Sequence, residues 1–404
     1  MNKIPNPKSE ADYRPISITP VLSRLMERLV VRKYFYPAFL SPPSPLSFLY
    51  QFAFRLTGST TAAVISLINK VTKLLAMNPY VIIYGLDFSK AFDTVRHSTL
   101  LEKIAMLDLP DFVYNWLVDF FEGRSHCTIH KGQVSEVANI LASIIQGSGV
   151  GPASYVVNAS DLHPVKPENE LLKYADDTDL IIAAGQEESR FEELDNINTW
   201  ADTNNLKLNK TKSVEIIFRR PRSRKVVLPP PIPGIVRVEE FKFLGVTFGH
   251  GFSVQSHVDE IIGACARTLY ALKILKAHGM NKDAIHTVFR STVLAKLQYA
   301  SPAWWGFTNA SDRARLEAFI KKSIQNGFCP ESVGTFQSMC ERNDEQFFSG
   351  IRRNPTHVLS HLLQTSQSSG HDLRHRVHNY TLPDNSTHLA DCNFLNRVLY
   401  KDIF

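Results

Sequence analysis

Residues 171–184 read LLKYADDTDLIIAA, two apolar strand-like runs meeting at the adjacent acids Asp176 and Asp177. Alternation and β-branched content on both sides predict a hairpin with the carboxylates at its tip. A second run, 80–87, is apolar almost throughout and ends on Asp87. That pattern predicts a central strand buried on both faces with one acid at its end. Neighbouring ionised carboxylates repel each other, and a bound divalent cation relieves the repulsion. Aspartate is also a favoured turn residue. Taken alone, the pair reads as a solvated turn before it reads as a metal site, and Asp87 as a strand-end cap. The rest of the chain must decide.

With 404 residues, 44% hydrophobic and 21% charged, the chain is long enough for two or three folded domains. The formal charge of +6 and pI near 8.9 are compatible with a nucleic-acid partner and with an ordinary basic enzyme alike. Five scattered cysteines (Cys127, Cys265, Cys329, Cys340, Cys392) form no CxxC pair, which fits a reducing compartment and argues against a disulfide scaffold. Cys329, Cys340, His357 and His361 raise zinc, with the histidines on a shared helix face, but the gap between the cysteines is too long for a usual knuckle. No apolar run approaching ~18 residues is read, so no membrane span is expected. The N-terminus lacks the apolar core of a signal peptide. An intracellular protein is expected.

Along the chain, 17–40 carries a helical pattern with Leu22, Leu25, Met26, Leu29 and Val30 on one face. Arg24, Arg28, Arg32 and Lys33 lie largely on another. Helices are expected over 59–76 and over 100–122 with an interruption near Pro110. The basic and Pro-rich stretch 219–233 predicts a stiff exposed connection. A hairpin is expected over 241–248 around Leu244-Gly245, followed by helices near 258–278, 281–300 and 311–325. The stretch 331–404 has no assignable fold. If the strand ending at Asp87 pairs beside the 171–184 hairpin, Asp87 and Asp176 converge, an arrangement able to hold two Mg²⁺ ions for in-line phosphoryl transfer.

Three segments in order, 85–95 (GLDFSKAFDTV), 146–152 (QGSGVGP) and 174–177 (YADD), resemble the palm motifs of reverse transcriptases from non-LTR (LINE-type) retrotransposons of the jockey-like group. Segments 13–17 (YRPIS) and 51–63 (QFAFRLTGSTTAA) are similar to that family's fingers motifs. The run 208–213 (LNKTKS) is similar to its post-hairpin loop and 241–246 (FKFLGV) to its primer grip. The resemblance implies an α/β (α+β) right-hand polymerase with fingers and an antiparallel-sheet palm, followed by a helical thumb. Its divisions would be 1–250 for the reverse transcriptase domain, with the Pro/basic connection near 219–235, then 251–330 for the thumb. The segment 331–404 has no assigned role.

The same resemblance implies roles for single residues. Asp87, Asp176 and Asp177 would be catalytic and hold two Mg²⁺ ions, with Mn²⁺ also admissible, and the carbonyl of Phe88 could add a neutral ligand. Phe92 would be the gate that excludes a ribose 2′-OH, unless it is a core phenylalanine. Gln146, Gly147 and Ser148 would approach nucleotide and template, unless they form a simple turn. Arg55 would grip the triphosphate and Lys212 protonate the departing pyrophosphate, unless both are surface cations. Arg267, Lys273, Lys276, Arg290, Lys296, Lys321 and Lys322 could track duplex phosphates. Trp304 and Trp305 read as structural. The partners implied are an RNA template, a DNA primer and deoxynucleoside triphosphates. Protein partners are unknown, and nuclear access is expected for target-primed copying.

Some features depart from the family pattern. Asp179 stands where an aromatic residue is expected, and either perturbs metal affinity or points to solvent. Ala53 and Leu56 replace commoner choices. No endonuclease precedes the first motif and the fingers are short, so a catalytically inactive truncated remnant that only binds nucleic acid is the alternative to an active RNA-directed DNA polymerase. An RNA-templated RNA polymerase is disfavoured if Phe92 gates the sugar.

Overall fold

The computed structural model describes residues 5–9, 13, 16–220, 226–363, 380–381 and 387–401. Arg14 and Pro15 of the first motif, Arg222, Arg224 and Lys225 of the basic run, and all of 364–370 lie outside the described residues.

A five-stranded sheet has the order β6-β7-β1-β8-β9, where β1 is Tyr80–Leu86, β6 Glu170–Tyr174, β7 Asp177–Ala183, β8 Val214–Arg219 and β9 Val236–Val238. The apolar run of β1 follows from its central place, with six of its seven residues buried. Two residues, Ala175 and Asp176, join β6 to β7, a connection short enough only for antiparallel neighbours. Four two-residue strands, β2 (Ser125–His126), β3 (Ile129–His130), β4 (Gln133–Val134) and β5 (Ala138–Asn139), form two small antiparallel pairs. β10 (Glu240–Phe243) and β11 (Val246–Gly249) make the expected hairpin about Leu244 and Gly245, both at positive φ.

The chain divides into two compact units. The first comprises 1–58, 84–180 and 188–214. Its helices include Val21–Val30, His97–Met106, Asp111–Phe121, Gly151–Asn158 and Arg190–Thr203. Pro110 separates the second and third as its missing N–H requires. Leu100, Ile104, Leu117, Val156 and Ile197 are fully buried. The buried ammonium of Lys103 donates at 2.7 Å to the Asn158 carbonyl, to Asp161 and to Asn204.

The second unit comprises 59–83, 181–187 and 215–404. Ser59 caps the helix Thr60–Met77 by accepting from the Ala62 amide. Long helices follow at Gln255–Ala277, Ala310–Gln325 and Phe336–Arg353. Lys282–Leu297 is one helical run with a π-helical middle at Phe289–Leu294. Trp304 and Trp305 are buried, as a structural role requires. The seven cations singled out between 267 and 322 are exposed.

Four expectations are corrected. The stripe Leu22, Leu25, Met26 and Leu29 is exposed, at 54–79%, whereas Glu27 and Val30 face inward. The helix orients by what Glu27 binds rather than by its apolar face. Thr60–Met77 has the 18 residues and the hydropathy of a membrane-crossing helix, against the reading that no such run exists; 61% of it is buried inside the protein, as in a core helix. His357 and His361 share no helix face, because the helix ends at Arg353 and His361 sits in a short 3₁₀ turn. The stretch after 331 is structured in part. Phe336–Arg353 packs on Ala310–Gln325, and Phe394–Tyr400 packs on Phe336–Arg353, with Arg397 bonded to buried Asp344 at 2.9 Å.

Candidate active site

Asp87 directly follows β1, Asp176 lies in the turn before β7, and Asp177 is the first residue of β7. β7 and β1 are hydrogen-bonded neighbours. Burial pushes the Asp177 carboxyl up to about 6, with further contributions from the charges of Asp176 and then Asp87. The Asp177 residue as a whole is exposed. The three acids therefore share one end of the sheet, which requires β1 and β7 to run antiparallel. β8 does the same on the other side, since Ser213, just before it, accepts the Asp87 N–H on its hydroxyl at 3.2 Å.

The segment 207–213 fixes the backbone of Asp87. The Asp87 carbonyl accepts from the Asn209 N–H at 2.8 Å, and the Ser89 N–H donates to the Lys207 carbonyl at 2.9 Å. Phe88 bridges Leu208 in an antiparallel pairing, and the Ser213 hydroxyl donates to the Asn209 carbonyl. Lys212 belongs to this loop, but its side chain is exposed. Phe88 is buried and meets Trp200 edge to face at 5.9 Å.

On the other flank, β6 is tied to the segment 50–53. The Lys173 N–H donates to the Tyr50 carbonyl and the Phe52 N–H to the Lys173 carbonyl. Gln51, buried, places its side-chain oxygen between the amides of Ala53 and Ala175. Gln51 was not singled out from sequence, because its partners are backbone groups that leave no side-chain signature. Arg55 is turned inward: its guanidinium donates to the Phe48 and Gln51 carbonyls, and burial lowers its pKa.

Phe92 stacks on Tyr155, with centroids 4.4 Å apart and planes 20° from parallel. Tyr155 is buried, and its hydroxyl is pushed up by burial and then by the charges of Asp176 and Asp177. This tyrosine, missed in the sequence, links the ring of Phe92 to the acids; a helix-borne aromatic shortly after the Gly-rich segment was its only signal. Gln146 donates to Asp93 at 2.8 Å, and the Ile144 N–H donates to the Phe92 carbonyl, so the 144–146 segment is tied to the Phe92 backbone and the Asp93 side chain. Gly147 has φ +112, and an added Cβ would lie 2.8 Å from the Ser17 carbonyl oxygen, so glycine is required there. The buried Ser148 hydroxyl accepts from the Gly151 N–H, a capping role at the next helix.

Asp179 does not point to solvent. It is buried on β7, two residues from Asp177 and so on the same face, and burial followed by the Asp177 charge raises its pKa well above the usual carboxylate range.

Carboxylates are the donors a hard divalent cation takes, and a bound cation would relieve the repulsion that Asp177 feels from Asp176 and Asp87. Among the described residues, no group of three or more acidic, histidine or cysteine side chains is arranged so as to hold a metal ion by itself. Mg²⁺ is commonly held by one or two carboxylates together with substrate phosphates, so an open cluster suits it.

Residues 4–248 match the family model described as reverse transcriptase (RNA-dependent DNA polymerase). Among curated proteins, the chain is 29% identical over 270 residues to the RNA-directed DNA polymerase from mobile element jockey of Drosophila melanogaster, covering 63% of this chain and 29% of that protein. It is 25% identical over 387 residues to the probable RNA-directed DNA polymerase from transposon BS of the same species, covering 88% of this chain and 42% of the relative. The chain thus spans less than half the length of these relatives. Among solved structures, telomerase from Candida tropicalis bound to a fragment of telomeric RNA matches 76% of this chain and 50% of its own, at 14% identity and a TM-score of 0.44. With well over half of its residues matched by that family model, the chain belongs to the reverse transcriptase family.

Proposed function

We propose that the chain is the polymerase portion of a retrotransposon reverse transcriptase, adding deoxynucleotides to a primer 3′-OH on an RNA template. The observation that carries this reading is the meeting of Asp87, Asp176 and Asp177 at one sheet end, on backbone pinned from both sides. Asp87, Asp176 and Asp177 would hold two Mg²⁺ ions, or Mn²⁺, which when bound supply charge neutralisation for the attacking and leaving oxygens. The rest falls to the chain. The Phe92 ring, backed by Tyr155, would occupy the space of a ribose 2′-OH. Gln146 and Gly147 would border the nascent base pair. Arg55 would have to leave its carbonyl partners to reach a triphosphate, whereas Lys212 is exposed and free to approach pyrophosphate. Residues 251–330, with their exposed cations, would act as the thumb against duplex phosphates. Target-primed copying would further require access to nuclear DNA.

Primer extension on an RNA template with Mg²⁺ tests the reading. Extension by the wild-type chain that Asp176→Ala abolishes supports it. No extension by the intact chain, together with retained RNA binding, would leave the nucleic-acid-binding remnant instead.

A further inference from the structure

Glu27 is 1% exposed in the first unit, although its helix leaves an apolar stripe in water. One carboxylate oxygen accepts from the amides of Gly149 and Val150, the latter at 3.2 Å, and the other accepts from the Ser23 hydroxyl at 2.8 Å. Those amides immediately precede the helix Gly151–Asn158, where helical dipoles favour an anion. The guanidinium of Arg124 feels the Glu27 charge as well. The fit is close: a Cβ at Gly149 would lie 2.9 Å from the Glu27 Cβ and 3.0 Å from the Arg24 carbonyl oxygen. A second tie runs from the Ser17 N–H to the Gln146 carbonyl at 3.0 Å.

We infer that Glu27 is a positioning residue for the 146–150 loop: its carboxylate clamps the loop through Gly149 and Val150 and thereby sets where Gln146 and Gly147 meet the incoming nucleotide and template. The inference rests on the proposed polymerase function for its kinetic part and on geometry alone for the clamp. Burying a carboxylate is costly unless it is fully hydrogen-bonded, and here the loop amides supply the bonds. The clamp explains why the helix turns Glu27 rather than Leu22 or Leu25 inward. It acts on nucleotide placement, not on the acids, which are held separately by Gln51 and by 207–213.

The test uses the full chain as wild type, Glu27→Gln and Glu27→Ala. Amide exchange is followed at Gly149 and Val150, and dNTP KM and kcat are measured in primer extension. The expected result is faster exchange at both amides in both variants. KM should rise about tenfold for Glu27→Gln, with kcat changed less, and further for Glu27→Ala, with more misinsertion. The carboxamide keeps one acceptor, so Glu27→Gln should partly rescue Glu27→Ala; should Glu27→Ala fail to fold, Glu27→Gln alone decides. Unchanged exchange in Glu27→Gln overturns the clamp. Equal losses in kcat and kcat/KM that follow the folded fraction overturn the positioning role. If the wild type extends nothing, the polymerase reading fails while amide exchange still decides the clamp.

Discussion

The side-chain oxygen of Gln51 accepts from the N–H of Ala175 at 3.1 Å while also accepting from Ala53 at 3.0 Å. Ala175 is in the left-handed region, at φ +58, one residue before Asp176. A non-glycine residue there costs about 1–2 kcal/mol, so the turn needs outside support to hold one geometry. Gln51 supplies it from a segment 124 positions away. The orientation of its amide follows from its neighbours, since two N–H donors demand the oxygen.

Replacing Gln51 by Ala should therefore leave two amides unsatisfied and loosen the turn carrying Asp176 and Asp177. A loss of about 1–3 kcal/mol in denaturant unfolding is expected. Extension activity should fall by more than the lost folded fraction explains. Ala175→Gly, which relieves the φ cost, should unfold no more readily than wild type in the presence of Gln51. A Gln51→Ala chain that keeps wild-type activity per folded molecule would show that the turn holds itself.

The acid cluster gives a pH dependence of defined sign. Burial, then Asp176 and Asp87, raise the folded Asp177 carboxyl to about 6 from 3.8. The folded state thus holds a proton that the unfolded state releases, so stability from this group is present below about pH 4 and lost as pH rises through 6. Without divalent ions the melting temperature should fall across that window, and Asp177→Asn should flatten the fall. Added Mg²⁺ should oppose it at pH 7, because a cation among the carboxylates binds only the folded arrangement. Melting curves from pH 4 to 7.5, with EDTA and with Mg²⁺, measure all three.

A second pH effect lies at higher values, in the buried Lys173 of β6. Its ammonium donates to the Ala159 and Leu162 carbonyls, and burial lowers it to about 8, with Asp161 opposing and Lys103 adding to the shift. Here the unfolded state binds the extra proton between about pH 8 and 10.5, so stability from this group rises with pH across that window. The charged, buried form costs on the order of 3 kcal/mol at neutral pH. Lys103, also lowered by burial, adds to the same slope. Lys173→Met should reduce the rise in unfolding free energy between pH 8 and 10, measured by urea titration at each pH.

Much of the site was legible in the sequence because strands write their placement into a period-two or all-apolar pattern. β1 and β7 carry such patterns, and the acids stand where those patterns stop. The supports were not legible. Gln51, Asn209, Ser213 and Glu27 act on backbone N–H and C=O groups, which every residue offers, so no partner identity marks them. Glu27 also inverted the reading of its helix, since an apolar stripe predicts burial only if nothing polar competes for the inward face. The helix Phe336–Arg353 was overlooked although Thr335 caps it and Phe336, Met339, Cys340 and Ile351 recur on one face. Its surroundings, rich in polar residues, diluted the period.

The stacked pair Phe92 and Tyr155 yields the last expectation. The gate proposed for Phe92 would have to resist displacement by the group it excludes, and Tyr155, buried at 1% exposure, stacks on Phe92 with centroids 4.4 Å apart. Phe92→Ala should open that space and raise ribonucleotide incorporation on an RNA template by at least tenfold relative to deoxynucleotide, a difference of about 1.4 kcal/mol in discrimination. Tyr155→Phe keeps the ring and should leave discrimination intact, whereas Tyr155→Ala removes the backing and should erode it while Phe92 is still present. Competitive single-nucleotide insertion with matched ribo- and deoxynucleotides reads both. If Phe92→Ala gains no ribonucleotide incorporation in a chain that extends primers, the ring is packing against Tyr155 for the core alone.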